Sequence, residues 1–249
     1  MKKVIILVMS SKTYPSYITQ FFQKLTWVKD TEYPTIFYFG GSNKPQIKKR
    51  NLYLPVSTKR DAMGRKTIEA FKYIKENYDF DYILRTNTSS YIDYECLKNT
   101  IETIETPNYC GAVIGQLNNS SFISGAAYIL EKSVVDIVIE NEDTWDHSVV
   151  DDIAISKLLQ KNNITFSNLE RNDVTLFPTA TSLNYSLFHT RCRLDTFKIS
   201  RIFEGFFMTK IYINYKIYRH VPNVKDSFID KFFSFFFKSI RFLYIPKFK

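Results

Sequence analysis

Long hydrophobic runs are missing from this 249-residue chain. The apolar run in MKKVIILVMSSK is too short to span a bilayer and leads to no small-residue cleavage site. It reads as a first core strand, Val4–Met9, and as the start of a cytoplasmic chain. Glycine and proline are scarce, 7 and 8 residues, which argues against a turn-rich all-β protein. The three cysteines, Cys96, Cys110 and Cys192, are scattered and form no CxxC or Cys/His spacing. That excludes a zinc motif and a disulfide framework, and fits free buried thiols in a reducing compartment. Three histidines, His147, His189 and His220, leave a His-centred triad unpersuasive. P-loop, GxGxxG, GxSxG and HExxH motifs are absent, as are zinc-finger spacing and RNP aromatics.

Aromatic residues are abundant, with 22 Phe and 17 Tyr, and the formal net charge is +9. A basic chain attracts anions: nucleic acid, an anionic membrane surface or a phosphorylated small molecule. The basic residues are not gathered in a recognisable nucleic-acid module, so no nucleic-acid partner is expected. Strand-like runs alternate with helical ones. VIILVM is followed by ITQFFQKLTWV, and PTIFYFGG by a basic loop. In DAMGRKTIEAFKYIKENY, Met63, Thr67, Phe71, Ile74 and Tyr78 fall at near-helical spacing, with Asp61 placed to cap. DYILRT, YECLKNTIETI, YCGAVIG, AAYIL, KSVVDIVIEN and DDIAISKLLQKN continue the alternation. It predicts an α/β fold with a mainly parallel sheet and helices on both faces.

Chemistry-bearing residues collect in short polar stretches, many where strands should end. Ser10 and Ser11 follow VIILVM, and Arg85, Thr86, Asn87, Thr88 and Ser89 end DYILRTNTSS. Ser124, Gly125 and Ala126 offer small residues where a ligand can approach the backbone. Asp151 and Asp152 open a helix, where acids also favour the dipole by about 0.3–1 kcal/mol each. Late in the chain, FHTRCR supplies His189, Arg191 and Arg193. From residue 196 onward the character changes: FIDKFFSFFFKSIRFLYIPKFK is Phe-rich and basic, with Ser227, Lys231, Ser234, Lys238 and Arg241 as a polar stripe. Such a helix lies at a membrane interface or packs on the domain as a terminal helix, and the sequence leaves both open.

The order of these pieces resembles the GT-A glycosyltransferases of the fringe and β1,3-galactosyltransferase type, including anchorless bacterial and viral relatives, over residues 3–193. RDAMGRKTIEAFKYI is similar to that family's D-x-Y-x-N-L-T-x-K-T segment, with Asp61, Lys66 and Thr67 in register. YDFDYILRTNTSSYID occupies the place of its Asp-Asp-Asp strand end, FISGAAYILEKSVVDIVIE of its Ser-Gly-Ala segment, and WDHSVVDDIAISKLLQKNNI of its Glu-Asp-Val helix. FHTRCR takes the place of its late His. The departure is the metal-binding Asp triad, here Asn87-Thr88-Ser89, whose neutral oxygens are weak ligands for Mn²⁺ or Mg²⁺.

The resemblance implies a GT-A domain at 1–195, and the Phe-rich basic stretch reads as a helical appendage at 196–249, either membrane-associating or packed on that domain. The resemblance also implies an inverting hexosyltransferase using a nucleotide-diphosphate sugar, a UDP-sugar first among them. The acceptor is a glycan or lipid-linked glycan hydroxyl, in surface polysaccharide or lipopolysaccharide synthesis at the inner face of a membrane. Asp152 matches the family's Asp and is the expected base, with Asp151 second. Ser10, Ser11 and Asp61 are expected at the nucleoside, Asn87 to Ser89 at the ribose and diphosphate, and Ser124 to Ala126 beside the sugar. Arg65, Lys66, Arg85, His189, Arg191 and Arg193 are the cations for phosphate. No metal is expected to be required; Asn87, Ser89 and His189 are the ligands if one binds. The alternative, raised by the missing triad, is a catalytically inactive nucleotide-sugar or glycan-binding module.

Overall fold

The first strand is buried on both of its faces up to its last residue, Met9, which is half-buried. Val4, Ile5, Ile6, Leu7 and Val8 are all buried, the pattern of a central strand covered on either side. The structure, a computed structural model, describes residues 2–104, 109–117, 120–194 and 201–243; the side chains of 60, 114–117, 120 and 240–243 stand outside it. In chain order the elements begin with β1 (Val4–Met9), α1 (Ser16–Leu25), α2 (Trp27–Asp30), β2 (Thr35–Phe39), β3 (Gln46–Lys48) and β4 (Asn51–Tyr53). There follow α3 (Met63–Asn77), β5 (Tyr82–Asn87), β6 (Ser90–Ile92), α4 (Tyr94–Thr103), β7 (Tyr109–Leu117) and β8 (Ser120–Glu131). The chain continues with α5 (Lys132–Glu140), α6 (Asp151–Lys161), β9 (Ser167–Asn168), β10 (Asn172–Val174), β11 (His189–Cys192), α7 (Ile202–Tyr218) and α8 (Phe228–Leu243).

These elements fall into two compact units. One comprises Met1–Thr13, Thr31–Thr88 and Thr100–Glu170; the other Tyr14–Asp30, Ser89–Asn99 and Arg171–Lys249. The expected division between residues 195 and 196 lies outside the described residues.

The first unit is built on an eight-stranded sheet of order β3-β4-β2-β1-β5-β8-β7-β9. Its centre is parallel, β4 on β2, β2 on β1 and β1 on β5, as the β/α alternation predicts. β8 runs antiparallel between β5 and β7. The helices α3, α5 and α6 bury Phe71, Ile74, Val134, Val138, Ile155 and Leu158 in a core shared with Ile5 and Leu7 of β1. The β1–β5 register pairs Met9 with Asn87, so both strands end at one edge of the sheet.

Three local readings change. The basic stretch after β2 is not a plain loop: it forms the antiparallel pair β3–β4, turning at Lys49 with φ 56°. Asp61 does not cap α3; it is exposed in a 3-10 turn at Arg60–Ala62, and the cap position is Ala62 with no side-chain hydrogen bond. Ser124, Gly125 and Ala126 do not end a strand, because β8 runs through them for 12 residues. The remaining helix and strand assignments stand, and all three cysteines are free and buried.

The second unit holds a three-stranded sheet of order β10-β11-β6. α1 lies against α7, with Gly205 of α7 beneath the ring of Phe22. α8 opens with a reciprocal cap, in which Asp230 N–H donates to Ser227 Oγ (3.1 Å) and Ser227 N–H to Asp230 Oδ2 (3.2 Å). Its Phe237 packs on Phe177, Phe203 and Phe207, with ring centres 5.3–5.5 Å apart. The side chain of Arg241, part of the polar stripe, lies outside the described residues. No helix among the described residues is long and apolar enough to cross a membrane.

A Cβ on Gly205 would sit 2.0 Å from Phe22 Cδ2, so α1 and α7 can approach this closely only with glycine there. Gly205→Ala is expected to cost about 1–3 kcal/mol of stability through overpacking, read as a lowered melting temperature by circular dichroism. An unchanged melting temperature would show that Phe22 yields without cost.

Candidate active site

Arg85 lies in β5 directly after the fully buried Ile83 and Leu84, and is itself 2% exposed. Burying a guanidinium is costly unless every donor is met. Its Nε donates to the Tyr38 hydroxyl at 3.2 Å, Nη1 to the Gly125 carbonyl, and Nη2 to Asp151 Oδ2. Nη2 also reaches Met9 Sδ at 3.4 Å, and the guanidinium carbon lies 5.3 Å from the Tyr128 ring centre. Burial pulls the Arg85 pKa down, but Asp151 and the two phenols outweigh it and hold the group charged, above its ordinary value. Arg85 was expected to reach phosphate with its fork. Its donors are instead directed at the protein, so it supplies charge and position.

The two acids that open α6 have different fates. Asp151 is buried, and its Oδ2 also accepts from Thr67 Oγ1 at 3.5 Å. Burial holds its pKa above the ordinary carboxylate value, with Arg85, its partner in a contact ion pair, working against the rise. Asp152 is half-buried; Oδ2 accepts from the Gly125 N–H and Oδ1 from the Ile153 N–H, both at 3.0 Å. Gly125 therefore ties the two together, its carbonyl to Arg85 and its N–H to Asp152. A Cβ there would meet Arg85 Nη1 and Asp152 Oδ2 at 3.1 Å each, so a glycine suits this point in β8.

Lys66, in the first turn of α3, is 5% exposed and makes no hydrogen bond or ion pair among the described residues. Desolvation lowers its pKa and Arg85 adds repulsion, while Asp151 works against both. Ser10, just beyond β1, is also buried, and its Oγ finds no partner among the described residues. The Tyr128 hydroxyl is in the same position. Thr86 Oγ1 donates to the Ala126 carbonyl at 2.6 Å, Asn87 Nδ2 to that of Gly125 at 3.4 Å, and Thr88 is buried. Ser124 Oγ accepts from the Ala126 N–H at 3.2 Å, and Ser11 Oγ is engaged with Thr13.

Other expected residues lie elsewhere. Arg65 is exposed on a cavity of about 480 Å³ whose lining, including Ser57, Glu69, Glu142 and His147, contains none of the Arg85 cluster. Ser89, His189, Arg191 and Arg193 belong to the second unit. There the Ser89 carbonyl accepts from the Cys192 N–H, and Arg191 shares Asp173 with Arg171. His189 is not the cation it was expected to be: it is 2% exposed, its Nε2 lies 3.2 Å from Ser90 Oγ, and its pKa falls to about 3. Burial is the main cause, with Arg171 and Arg191 adding repulsion, so the ring is neutral at physiological pH. Among the described residues no three His, Cys, Asp or Glu are placed to hold a metal ion. Tyr38 and Tyr128 were not singled out from sequence. Their signal was a phenol within otherwise hydrocarbon strands, where a buried hydroxyl needs a partner.

No protein-family model matches this chain. A solved glycosyltransferase involved in the glycosylation of the major capsid of PBCV-1 superposes with a TM-score of 0.55 at 10% identity, covering 82% of this chain and 98% of that one. The fold is that of a GT-A glycosyltransferase. Two structures of the glycosyltransferase GlyE of Streptococcus pneumoniae TIGR4 also match, at TM-scores of 0.37 and 0.41 and 12% and 9% identity. They cover 68% and 84% of this chain, which spans 45% and 63% of theirs. Within this GT-A sheet the Arg85 cluster stands toward the carboxyl ends of β1 and β5, the edge where open α/β sheets take ligands.

The unpaired Lys66 costs the ligand-free fold stability. Because its folded pKa is depressed, that cost is complete below the folded value and is relieved as pH rises toward 10.5, the unperturbed value. Lys66→Met is therefore expected to raise the ligand-free melting temperature by about 2–4 °C at neutral pH, with the gap to wild type narrowing at alkaline pH. A destabilised Lys66→Met chain, measured by calorimetry across pH, would show that Lys66 has a stabilising partner.

Proposed function

We propose that this chain transfers a sugar, with inversion, from a nucleotide-diphosphate donor to a hydroxyl of a glycan or lipid-linked glycan. A UDP-sugar is the first candidate donor, and surface polysaccharide or lipopolysaccharide synthesis the setting. The reading rests on one observation: a half-buried carboxylate, Asp152, and a buried cation with no ion pair among the described residues, Lys66, belong to one Arg85-centred cluster in a glycosyltransferase fold. Inverting displacement needs a base for the acceptor hydroxyl and positive charge for the departing diphosphate. Asp151, buried with its Oδ2 held by Arg85 and Thr67, is screened from an acceptor hydroxyl and positions the cluster. Asp152 is the base, and Lys66 the cation for the diphosphate.

Ser10, with its unmatched hydroxyl, is assigned to the nucleoside, and Asn87 and Thr88 to the ribose and diphosphate. Ser124, Gly125 and Ala126 border the sugar. Arg191 is kept as a proposed phosphate ligand, and His189 as a neutral hydrogen-bond donor. The neutral Asn87-Thr88-Ser89 set does not fit a divalent ion that must bridge to phosphate, so charge balance falls to cationic side chains. Residues 1–195 carry donor binding and catalysis in this reading. Residues 196–249 associate with the anionic inner face of a membrane, where lipid-linked acceptors are presented.

Asp152→Asn should lower transfer by about two to four orders of magnitude while the UDP-induced thermal shift persists. Turnover near wild type in that variant would remove Asp152 as the base. In a screen of nucleotide sugars by donor hydrolysis, activity should also persist in EDTA. An absolute requirement for Mn²⁺ would overturn the metal-free account.

A further inference from the structure

Three helices of the second unit turn apolar side chains outward, although α7 also buries Phe207, Met208, Ile211 and Tyr215. α1 buries Thr19, Gln20 and Gln23 and exposes Tyr17, Phe21 and Leu25, three apolar side chains one turn apart. α7 buries Glu204 and Asn214, both 0% exposed, and presents Phe206, Ile213 and Ile217 outward. α8 buries Asp230 against Lys210 and exposes Phe228, Phe232, Phe235 and Phe236, with Phe235 72% exposed. The protein meets most of the buried polar atoms, with Asn214 Oδ1 left without a partner among the described residues. Gln23 Nε2 donates to the Ser90 carbonyl at 2.8 Å, Asn214 Nδ2 to that of Thr179 at 3.3 Å, and Glu204 accepts from Arg201 and from the Leu194 N–H. Soluble helices carry their apolar stripe toward the core; here the outward stripe is apolar on each of the three.

The stripes are joined. Phe22 of α1 meets Phe206 of α7 at 5.4 Å, Phe206 meets Phe203 at 6.3 Å, and Phe203 meets Phe237 of α8 at 5.3 Å, next to Phe236 at 5.9 Å. The charges on the same helices have one sign at the surface. The sole acids in these three segments, Glu204 and Asp230, are buried, whereas Lys24, Lys231 and Lys238 are exposed, as is Lys216, which pairs with Asp30 of α2 at 2.8 Å.

We infer that α1, α7 and α8 together form a monotopic membrane-docking face that inserts its aromatic residues into an anionic lipid leaflet. This goes beyond tail association, because α1 lies some 170 residues before the tail and supplies part of the face. Apolar side chains enter the acyl boundary while flanking lysines engage the headgroups, the arrangement of interfacial helices. Since no described helix can cross a bilayer, the face lies on the membrane. A second copy fits less well, because a self-complementary contact would set these lysines against one another. The inference does not depend on the transferase reading.

The test is co-sedimentation of the full chain with vesicles of phosphatidylcholine alone or mixed with phosphatidylglycerol. Binding should require the anionic lipid, weaken with salt, and fall at least about tenfold in Phe21→Glu, with the melting temperature and soluble-donor hydrolysis unchanged. Phe235→Ser serves as the second variant if Phe21→Glu does not fold. Vesicle binding unaffected by these substitutions, equal binding to neutral vesicles, or a dimer that Phe21→Glu converts to a monomer would each overturn the inference.

Discussion

A guanidinium buried within a sheet has to be neutralised where it stands, and in this chain Asp151 does so for Arg85. Their contact draws five elements together: β5 through Arg85, α6 through Asp151, β2 through Tyr38, β8 through Gly125 and β1 through Met9. Removing one partner of such a pair strands a buried charge, a loss of about 3–5 kcal/mol, whereas an apolar replacement of both is often tolerated. The pair is therefore better understood as fixing an arrangement than as adding stability. What it fixes is the edge of β8 at Gly125, and through that edge the carboxylate of Asp152.

The same arrangement explains how adjacent acids acquire different chemistry. One residue of helix rotation places Asp151 against a buried cation and leaves Asp152 half-buried on a backbone amide. Lys66 is the counterpart: placed near Arg85 and without an ion pair among the described residues, it carries a cost in the ligand-free fold that an anion would relieve. Such strain is common where a site is organised for a ligand.

In the second unit apolar side chains are divided between core and surface: α7 buries Phe207, Met208, Ile211 and Tyr215, while α1, α7 and α8 leave Phe21, Phe206 and Phe235 outside. Phe237, stacked on Phe177 and edge-to-face with Phe203 and Phe207, holds α8 in place, and the Ser227–Asp230 cap fixes its start. Of the two readings that the sequence left open for this segment, packing is the one seen: α8 packs on its unit by one face and presents another outward.

Periodicity and composition alone determined the α/β alternation, the buried first strand, the helices α3 to α6 and the free cysteines, because these follow from local spacing of apolar residues. The β3–β4 pair was hidden because three-residue strands give no periodic signal, and the length of β8 because Ser124 and Gly125 look like a strand end. Which of two adjacent acids is paired, whether Arg85 faces ligand or protein, and that His189 is neutral were decided only by tertiary structure. Each depends on what lies within about 4 Å across the sheet, and on burial that no neighbour in sequence specifies. The outward faces of α1 and α7 belong to the same class: a helical pattern identifies an apolar stripe, but only packing decides whether that stripe turns inward.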